Sequence, residues 1–294
     1  MATSVSLIRK TKSFRDLARR RAVLVIGSGV SRHSRGNDGK QPPTWKEFLT
    51  QAVIDCPIKT GMEAIEAALN VGDFLHACEW LKKRFDEGWV NYLRNTFSRP
   101  AYRAAEIHEQ ILKLDSRIVF TLNFDDIYER HASGIHSGSH IIKNYYDADV
   151  AEFLRGDGRY IIKVHGNLNS PPTLIFTQKE YSRARIENAA FYQAFDAALL
   201  THTFVFVGCG VSDPDVNLIL ENQNFGFPTQ SPHYFITAHN FGEDRKHSLR
   251  ENRNLKVLEY DPVDGDHGGL VTELRALNDL VEAARFDIAQ TTQW

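Results

Sequence analysis

Three polar side chains stand just past two apolar runs of the sequence, where they could act on a bound molecule. Asn123 and Asp125 follow the run 117–121, and His165 follows the run 160–164. A histidine can serve as a general base near neutral pH, while an amide and a carboxylate can orient water or stabilise positive charge. Each also has a structural interpretation: Asn123 or Asp125 can cap a following helix, and a lone strand-end histidine is more often structural.

A loop of small residues follows an earlier apolar run, 22–26. The loop consists of Gly27, Ser28, Gly29, Val30 and Ser31. Glycine lets the backbone approach a phosphate closely, and the free N–H groups that open a helix favour an anion. We therefore predict that these five residues bind a dinucleotide. Arg32 occupies the third glycine position of the dinucleotide fingerprint, so a tight turn without a ligand remains the alternative.

A second glycine-rich loop follows the apolar run 203–207. Gly208, Gly210 and Ser212 are its candidate ligand-binding residues. Ser212 or Asp213 is expected to cap the next helix, because Pro214 suits the first helical position. The capping role and a ligand-facing loop are compatible with each other.

The apolar runs indicate an α/β fold. Six short β-branched and aromatic segments, 22–26, 117–121, 160–164, 203–207, 234–237 and 256–260, alternate with helical patterns. This order predicts a doubly wound, mostly parallel, Rossmann-like sheet covered on both faces. Residues 44–114 are nearly all helix-patterned, so we expect a helical subdomain inserted in a catalytic domain that spans 22–294. Residues 1–21 predict a basic N-terminal helix; an organellar transit peptide is the less favoured alternative.

Composition excludes several classes of protein. The net charge of −2 argues against direct nucleic-acid binding through a global basic field, and no apolar run is long enough to span a bilayer. The three cysteines are far apart and form no CxxC pair, which suits the cytoplasm better than a disulfide framework. His131, His136 and His140 lie in a Gly/Ser-rich stretch without strong ligand spacing, so we expect them to be solvated and predict no metal.

Taken in order, the motifs resemble those of the sirtuin superfamily, and more closely the SIR2-like domains of bacterial defence proteins. Sirtuins carry a glycine–alanine–glycine loop, then TQN-hydrophobic-D, then HG. The matching segments here are Gly27-Ser28-Gly29-Val30-Ser31, Thr121-Leu122-Asn123-Phe124-Asp125 and His165-Gly166. The resemblance covers about residues 24–215.

Two departures bear on activity. Sirtuin deacylases have two CxxC pairs for a structural zinc soon after HG, whereas this chain has no cysteine between Cys78 and Cys209. Leu122 also replaces the glutamine of TQN. Both changes weaken the expectation of protein deacylation and leave nicotinamide release as the expected chemistry.

The resemblance implies that NAD is the substrate and that it lies across the carboxyl edge of the sheet. Asn123 would orient the ribose, the carboxamide or a water; His165 would be the general base; and Asp125 would hold the nicotinamide end or stabilise positive charge. Water is then the expected acceptor, which makes the protein an NAD hydrolase without a zinc module. The alternatives are a non-catalytic NAD or ADP-ribose-binding regulatory module and a zinc-free deacylase or ADP-ribosyltransferase. A conventional dehydrogenase ranks last.

The same resemblance implies an effector of anti-phage defence that depletes NAD during abortive infection. Such an activity has to be restrained until infection, so we expect a homo-oligomer and a separate activating or inhibiting partner, with a HerA-like ATPase as first choice. The basic N-terminal helix and the C-terminal segment 290–294 are the candidate contact surfaces.

Overall fold

The computed structural model describes residues 13–135, 139–210 and 213–291. Its helices are α1 (Ser13–Ala18), α2 (Ser28–Ser31), α3 (Trp45–Asp55), α4 (Glu63–Val71), α5 (Phe74–Phe85), α6 (Gly88–Phe97), α7 (Glu106–Lys113), α8 (Ile127–Ile135), α9 (Gln178–Glu187), α10 (Ala189–Thr201), α11 (Pro214–Gly226), α12 (Glu243–Arg253) and α13 (Gly268–Thr291). Its strands are β1 (Ala22–Ile26), β2 (Ile118–Thr121), β3 (His140–Asn144), β4 (Arg159–Lys163), β5 (Thr203–Val207), β6 (His233–Ala238) and β7 (Leu255–Tyr260). Short 3₁₀ turns span Val150–Leu154 and Pro171–Thr173.

The strands form one seven-stranded sheet in the order β3-β4-β2-β1-β5-β6-β7, and every pairing is parallel. The predicted α/β class is therefore confirmed, and the sheet is parallel throughout its described strands. β1 lies between β2 and β5. The strands β2 to β4 are therefore added on one side of β1, and the strands β5 to β7 on the other. In open α/β sheets, that arrangement creates a crevice at the carboxyl ends of the strands.

The strand register brings four carboxyl ends to one level. Ile26 pairs with Thr121 on one side and Val207 on the other, and Thr121 pairs with Lys163. The residues that follow these four strand ends are therefore neighbours at the same edge of the sheet.

Alternation along the strands supplies a core on each face of the sheet. Leu24 and Ile26 pack in the cluster that includes α7 and α13, whereas Val23 and Val25 pack in the cluster that includes α10. A further cluster, centred on Phe48 and Leu81, joins the helices α3 to α6. None of the helices in the described ranges is long and apolar enough to cross a membrane.

One expectation about local structure is wrong, and one strand is missing from the sequence-based prediction. His131 belongs to helix α8 and His140 begins strand β3, so neither lies in a solvated loop; His136 is outside the described residues. Strand β3 escapes recognition because it is a sheet edge with only partly buried side chains, and its sequence therefore lacks an apolar run. Of the expected basic N-terminal helix, residues 1–12 are outside the described part, and α1 covers Ser13–Ala18.

Candidate active site

A cavity of about 340 Å³ lies where β1, β2, β4 and β5 end. The predicted residues that line it are Gly27, Ser28, Ser31, Asn123, Asp125, His165 and Gly210. The structure therefore brings segments from four different strands to one enclosed space. Such a crevice, apolar with a few convergent polar groups, is the usual form of a small-molecule site.

Gly29, Val30 and Gly208 do not line this cavity. The N–H of Gly29 donates to the carbonyl of Gly208 at 2.9 Å, and Val30 is completely buried. A Cβ added at Gly208, whose φ is +61°, would lie 2.6 Å from the Val30 nitrogen. These glycines let two loops touch each other, so for these three positions the tight-turn interpretation replaces direct ligand contact. Ser212 is outside the described residues.

The side chain of Asn123 is held by a chain of hydrogen bonds. Its Nδ2 donates to the carbonyl of Gly27 at 3.1 Å and to Ser31 Oγ at 2.9 Å, and Ser31 Oγ donates to Asp125 Oδ2 at 2.8 Å. A carbonyl can only accept, so the NH₂ group must face Gly27 and the orientation of the amide is fixed. Oδ1 is then the side-chain atom of Asn123 that is left to accept a hydrogen bond from a bound molecule.

The carboxylate of Asp125 belongs to this series of hydrogen bonds and is not isolated. Oδ2 accepts from Ser31, and Oδ1 accepts from the backbone N–H of Ile127 at 3.1 Å, at the start of α8. Burial raises the pKa of Asp125, and the nearby ammonium of Lys163 opposes that effect. The capping interpretation therefore holds for this residue, both of its oxygens already have protein partners, and its functional role stays a prediction.

The imidazole of His165 has protein partners at both nitrogens. Nδ1 lies 3.1 Å from the carbonyl of Leu122, and Nε2 lies 2.9 Å from Oδ2 of Asp213. A carbonyl and a carboxylate only accept, so a doubly protonated ring donates to both, whereas the hydroxyl of Tyr181, 3.3 Å from Nε2, can donate to a neutral ring. Burial alone would lower the pKa of His165, but the carboxylate of Asp213 outweighs it and the net shift is upward. The residue predicted as the general base therefore lies in a buried pair with Asp213, and its role as a base stays a prediction.

Asp213 is the main residue of the site that the sequence did not assign. Its Oδ1 caps α11 by accepting from the Val216 N–H at 2.9 Å, which is the predicted capping role. Its Oδ2 also accepts from the hydroxyl of Tyr181 at 2.8 Å. Burial would raise the pKa of Asp213, but the His165 cation lowers it overall. Because a cap explained Asp213 completely, the sequence carried no further signal for this second role.

Part of the cavity wall is aromatic. Trp45, Phe97, Phe124 and Phe176 line it, and two of them come from the helices between β1 and β2. Trp45 stacks on Phe176 with ring centroids 5.3 Å apart, and Phe124 contacts Phe176 at 4.2 Å. The helical segment therefore provides a wall on which a planar ring can stack.

Residues 117–258 match the profile of the SIR2-like domain family. This match covers 142 of the 294 residues, just under half of the chain. The matched region includes Asn123, Asp125, His165 and Asp213, and the loop at Gly27 lies outside it.

Curated relatives match about half of the chain at low identity. The chain is 27% identical over 130 residues to a protein named NAD(+) hydrolase ThsA from Acinetobacter baumannii, and 25% identical over 134 residues to one of that name from Enterococcus faecium. It is 23% identical over 160 residues to Defense-associated sirtuin 2 of Bacillus subtilis. These matches cover 44%, 45% and 52% of this chain but 27%, 28% and 15% of the relatives. The chain therefore corresponds to about a quarter or less of each.

Within the described parts of the chain, no group of three or more His, Cys, Asp or Glu side chains could hold a metal ion.

Proposed function

We propose that the cavity binds NAD and hydrolyses the bond between its ribose and nicotinamide, giving ADP-ribose and nicotinamide. The observation that carries the proposal is the fixed amide of Asn123, whose oxygen is left for a ligand in a cavity shared with the His165–Asp213 pair. The relatives named NAD(+) hydrolase support NAD as the substrate.

The amide oxygen of Asn123 suits the charge that this reaction develops. As the C–N bond breaks, its electrons leave with nicotinamide and the ribose becomes oxocarbenium-like. Successive hydrogen bonds from Asn123 through Ser31 to Asp125 polarise the amide and increase the negative charge on Oδ1. Asn123 therefore stabilises the cationic sugar or orients the attacking water, and Asp125 reinforces it from behind.

Attack by water releases one proton, which the His165–Asp213 pair is placed to accept. A ring that donates to both Leu122 and Asp213 has no free lone pair, so the pair can accept that proton only when His165 is in its neutral form. We therefore expect hydrolysis to increase as the pH rises through the pKa of His165, which lies above the ordinary value of 6.5.

A second candidate function rests on the same ion pair. A protein that only binds NAD or ADP-ribose and regulates a partner needs the cavity but no free base, and both imidazole nitrogens of His165 already have protein partners. In that case Asp213 would serve to hold α11 against the cavity. Turnover separates this candidate from hydrolysis.

Isotopic water distinguishes the candidates. The purified chain is incubated with NAD in H₂¹⁸O, and the products are analysed by mass spectrometry. Hydrolysis predicts nicotinamide together with ADP-ribose that carries one ¹⁸O atom. Nicotinamide without labelled ADP-ribose would indicate transfer to another acceptor, as in a deacylase or ADP-ribosyltransferase. Tight NAD binding with no product at any pH, with wild type and Asn123→Ala alike, would favour the regulatory module.

We further propose that this activity depletes cytoplasmic NAD as an anti-phage effector, with Defense-associated sirtuin 2 as the supporting relative. Control by homo-oligomerisation or by a HerA-like ATPase remains our proposal for how it is restrained. Helix α11 can transmit such control, because Asp213 caps its start and its exposed side chains include Leu218 and Phe225. Light scattering with and without the ATPase, and phage challenge of cells expressing wild type or Asn123→Ala, test these proposals.

A further inference from the structure

A buried ion pair lies directly behind the loop that carries Asn123. The ammonium of Lys163, on β4, is 3% exposed and lies 2.6 Å from Oε1 of Glu129, on α8, which is 4% exposed. Removing two opposite charges from water costs about as much as their attraction returns, so apolar residues often stabilise such a place equally well. The pair is therefore not explained by stability alone.

The remaining donors of Lys163 point to the active-site loop. Nζ donates to the main-chain carbonyl of Asp125 at 2.6 Å and to that of Asn123 at 3.2 Å. Together with Glu129, these acceptors use all three hydrogens of the ammonium group. One side chain thus connects β4, the loop at 122–126 and α8.

We propose that Lys163 is a positioning residue that sets the backbone of Asn123 and Asp125, and that Glu129 orients and neutralises it. The neighbouring contacts agree with this role. The carboxylate of Asp125 accepts hydrogen bonds from Ile127 and Ser31, and its main-chain carbonyl accepts one from Lys163. Asp125 is therefore fixed through both its side chain and its backbone. Asn123 is fixed in the same way, by Gly27 through its amide and by Lys163 through its carbonyl.

Lys163 does not line the cavity, so it acts on a bound molecule only through the loop. Loss of the tether should shift the Asn123 amide, and a displacement of about 1 Å in an active site can lower the rate by about 100-fold. Substrate contacts elsewhere in the cavity would remain. We therefore expect a large fall in kcat with a small change in KM.

The test uses the intact chain with Lys163→Met/Glu129→Met, which replaces both charges of the ion pair by apolar side chains, so that neither partner stays buried without the other. Glu129→Gln is the conservative variant, because its amide oxygen still accepts from Lys163. Lys143→Met/Asp149→Asn removes a more exposed ion pair on the neighbouring strand β3 and serves as the matched control. Thermal unfolding, nicotinamide release and hydrogen exchange of the peptide spanning 122–130 are measured for each.

The expected result is a folded double variant with about 100-fold lower kcat, little change in KM and faster exchange confined to 122–130. Glu129→Gln should keep a kcat close to wild type because Lys163 keeps its acceptor, at a cost in stability because the ammonium loses its counter-ion, and the control should stay close to wild type. A double variant with wild-type kcat and wild-type exchange would overturn the proposal. If the double variant does not fold, Lys163→Gln/Glu129→Gln, which also removes both charges, replaces it with the same expectations.

The activity readout rests on the proposed hydrolysis, whereas the exchange readout does not. Wild type that releases no nicotinamide would contradict the proposed function only. In that case, faster exchange confined to 122–130 in the double variant would still support the positioning role, and unchanged exchange would reject it.

Discussion

Nε2 of His165 lies 2.9 Å from Oδ2 of Asp213, and both side chains are less than 10% exposed. The two residues come from the ends of different elements, β4 and the start of α11. Their contact joins an imidazole that lines the cavity, that of His165, to helix α11, whose other end is at the surface. Most of the expected pH behaviour follows from this pair.

Asp213→Asn should lower the pKa of His165, because the carboxylate that raises it is replaced by a neutral amide. Asparagine is also a good N-cap, so α11 should remain formed. NMR titration of the His165 ring measures the pKa directly, and the alkaline rise of nicotinamide release should move to lower pH with it. His233, buried at the far side of β5 with a pKa of about 4, is the internal control and should not change. An unchanged His165 titration would show that Asp213 does not govern it.

The same pair predicts a window of stability. The folded pKa of His165 is raised, so its contribution is complete below about pH 6.5 and is lost as the pH rises through the folded value. The folded pKa of Asp213 is lowered, so its contribution is present above about pH 3.9 and is lost on acidification through the folded value. Wild type should therefore exceed Asp213→Asn in unfolding free energy most clearly between about pH 4 and 6.5. Urea unfolding across pH measures this, and a constant difference from pH 3 to pH 9 would argue against the ion pair.

Ser31→Ala should weaken catalysis more than folding. It removes the bond that links Asn123 to Asp125, yet each keeps another partner, so we expect about 1 kcal/mol of destabilisation. Loss of amide polarisation should reduce kcat by about tenfold. Ser116, an equally buried serine that donates to the carbonyl of Ala22, is the matched control: Ser116→Ala should cost similar stability and no activity. Equal kcat in Ser31→Ala and Ser116→Ala would show that the hydrogen bonds from Asn123 through Ser31 to Asp125 do not contribute to catalysis.

Gly208→Ala should destabilise the domain without touching the cavity. A methyl group there would meet the Val30 nitrogen and require a left-handed φ, at a cost of about 1 to 3 kcal/mol. Gly226→Ala is the control, because it lies in α11 with open space around it and should be neutral or slightly stabilising. Urea unfolding compares the two. If Gly208→Ala had wild-type stability, the packing of the two loops would not need a glycine there.

Trp45→Ala should weaken substrate binding. If an aromatic ring of NAD stacks on the wall formed with Phe176, its removal should raise KM by about tenfold, since such stacking contributes about 1 to 3 kcal/mol. Trp45→Phe keeps a stacking surface and should retain a KM near that of wild type. Calorimetric titration with ADP-ribose gives the same comparison without turnover. A KM unaffected by Trp45→Ala would place the ligand rings elsewhere.

The sequence predicts well what depends on local pattern and on parallel-sheet geometry. Asn123, His165 and the Gly27 loop could be expected to converge because residues after parallel strands share one edge. The packing of distant elements decides that Asp213 pairs with His165 and that Trp45 lines the same cavity. No local pattern encodes that packing. Edge strand β3 was missed for a related reason, because its burial is too slight to leave an apolar signature.

The rate of nicotinamide release from NAD tests the central claim most directly. It is measured for wild type, Asn123→Ala and Asn252→Ala, the last being an exposed asparagine on α12. The account predicts release by wild type and Asn252→Ala, and a loss of at least about 100-fold in Asn123→Ala. Equal rates in wild type and Asn123→Ala would contradict it.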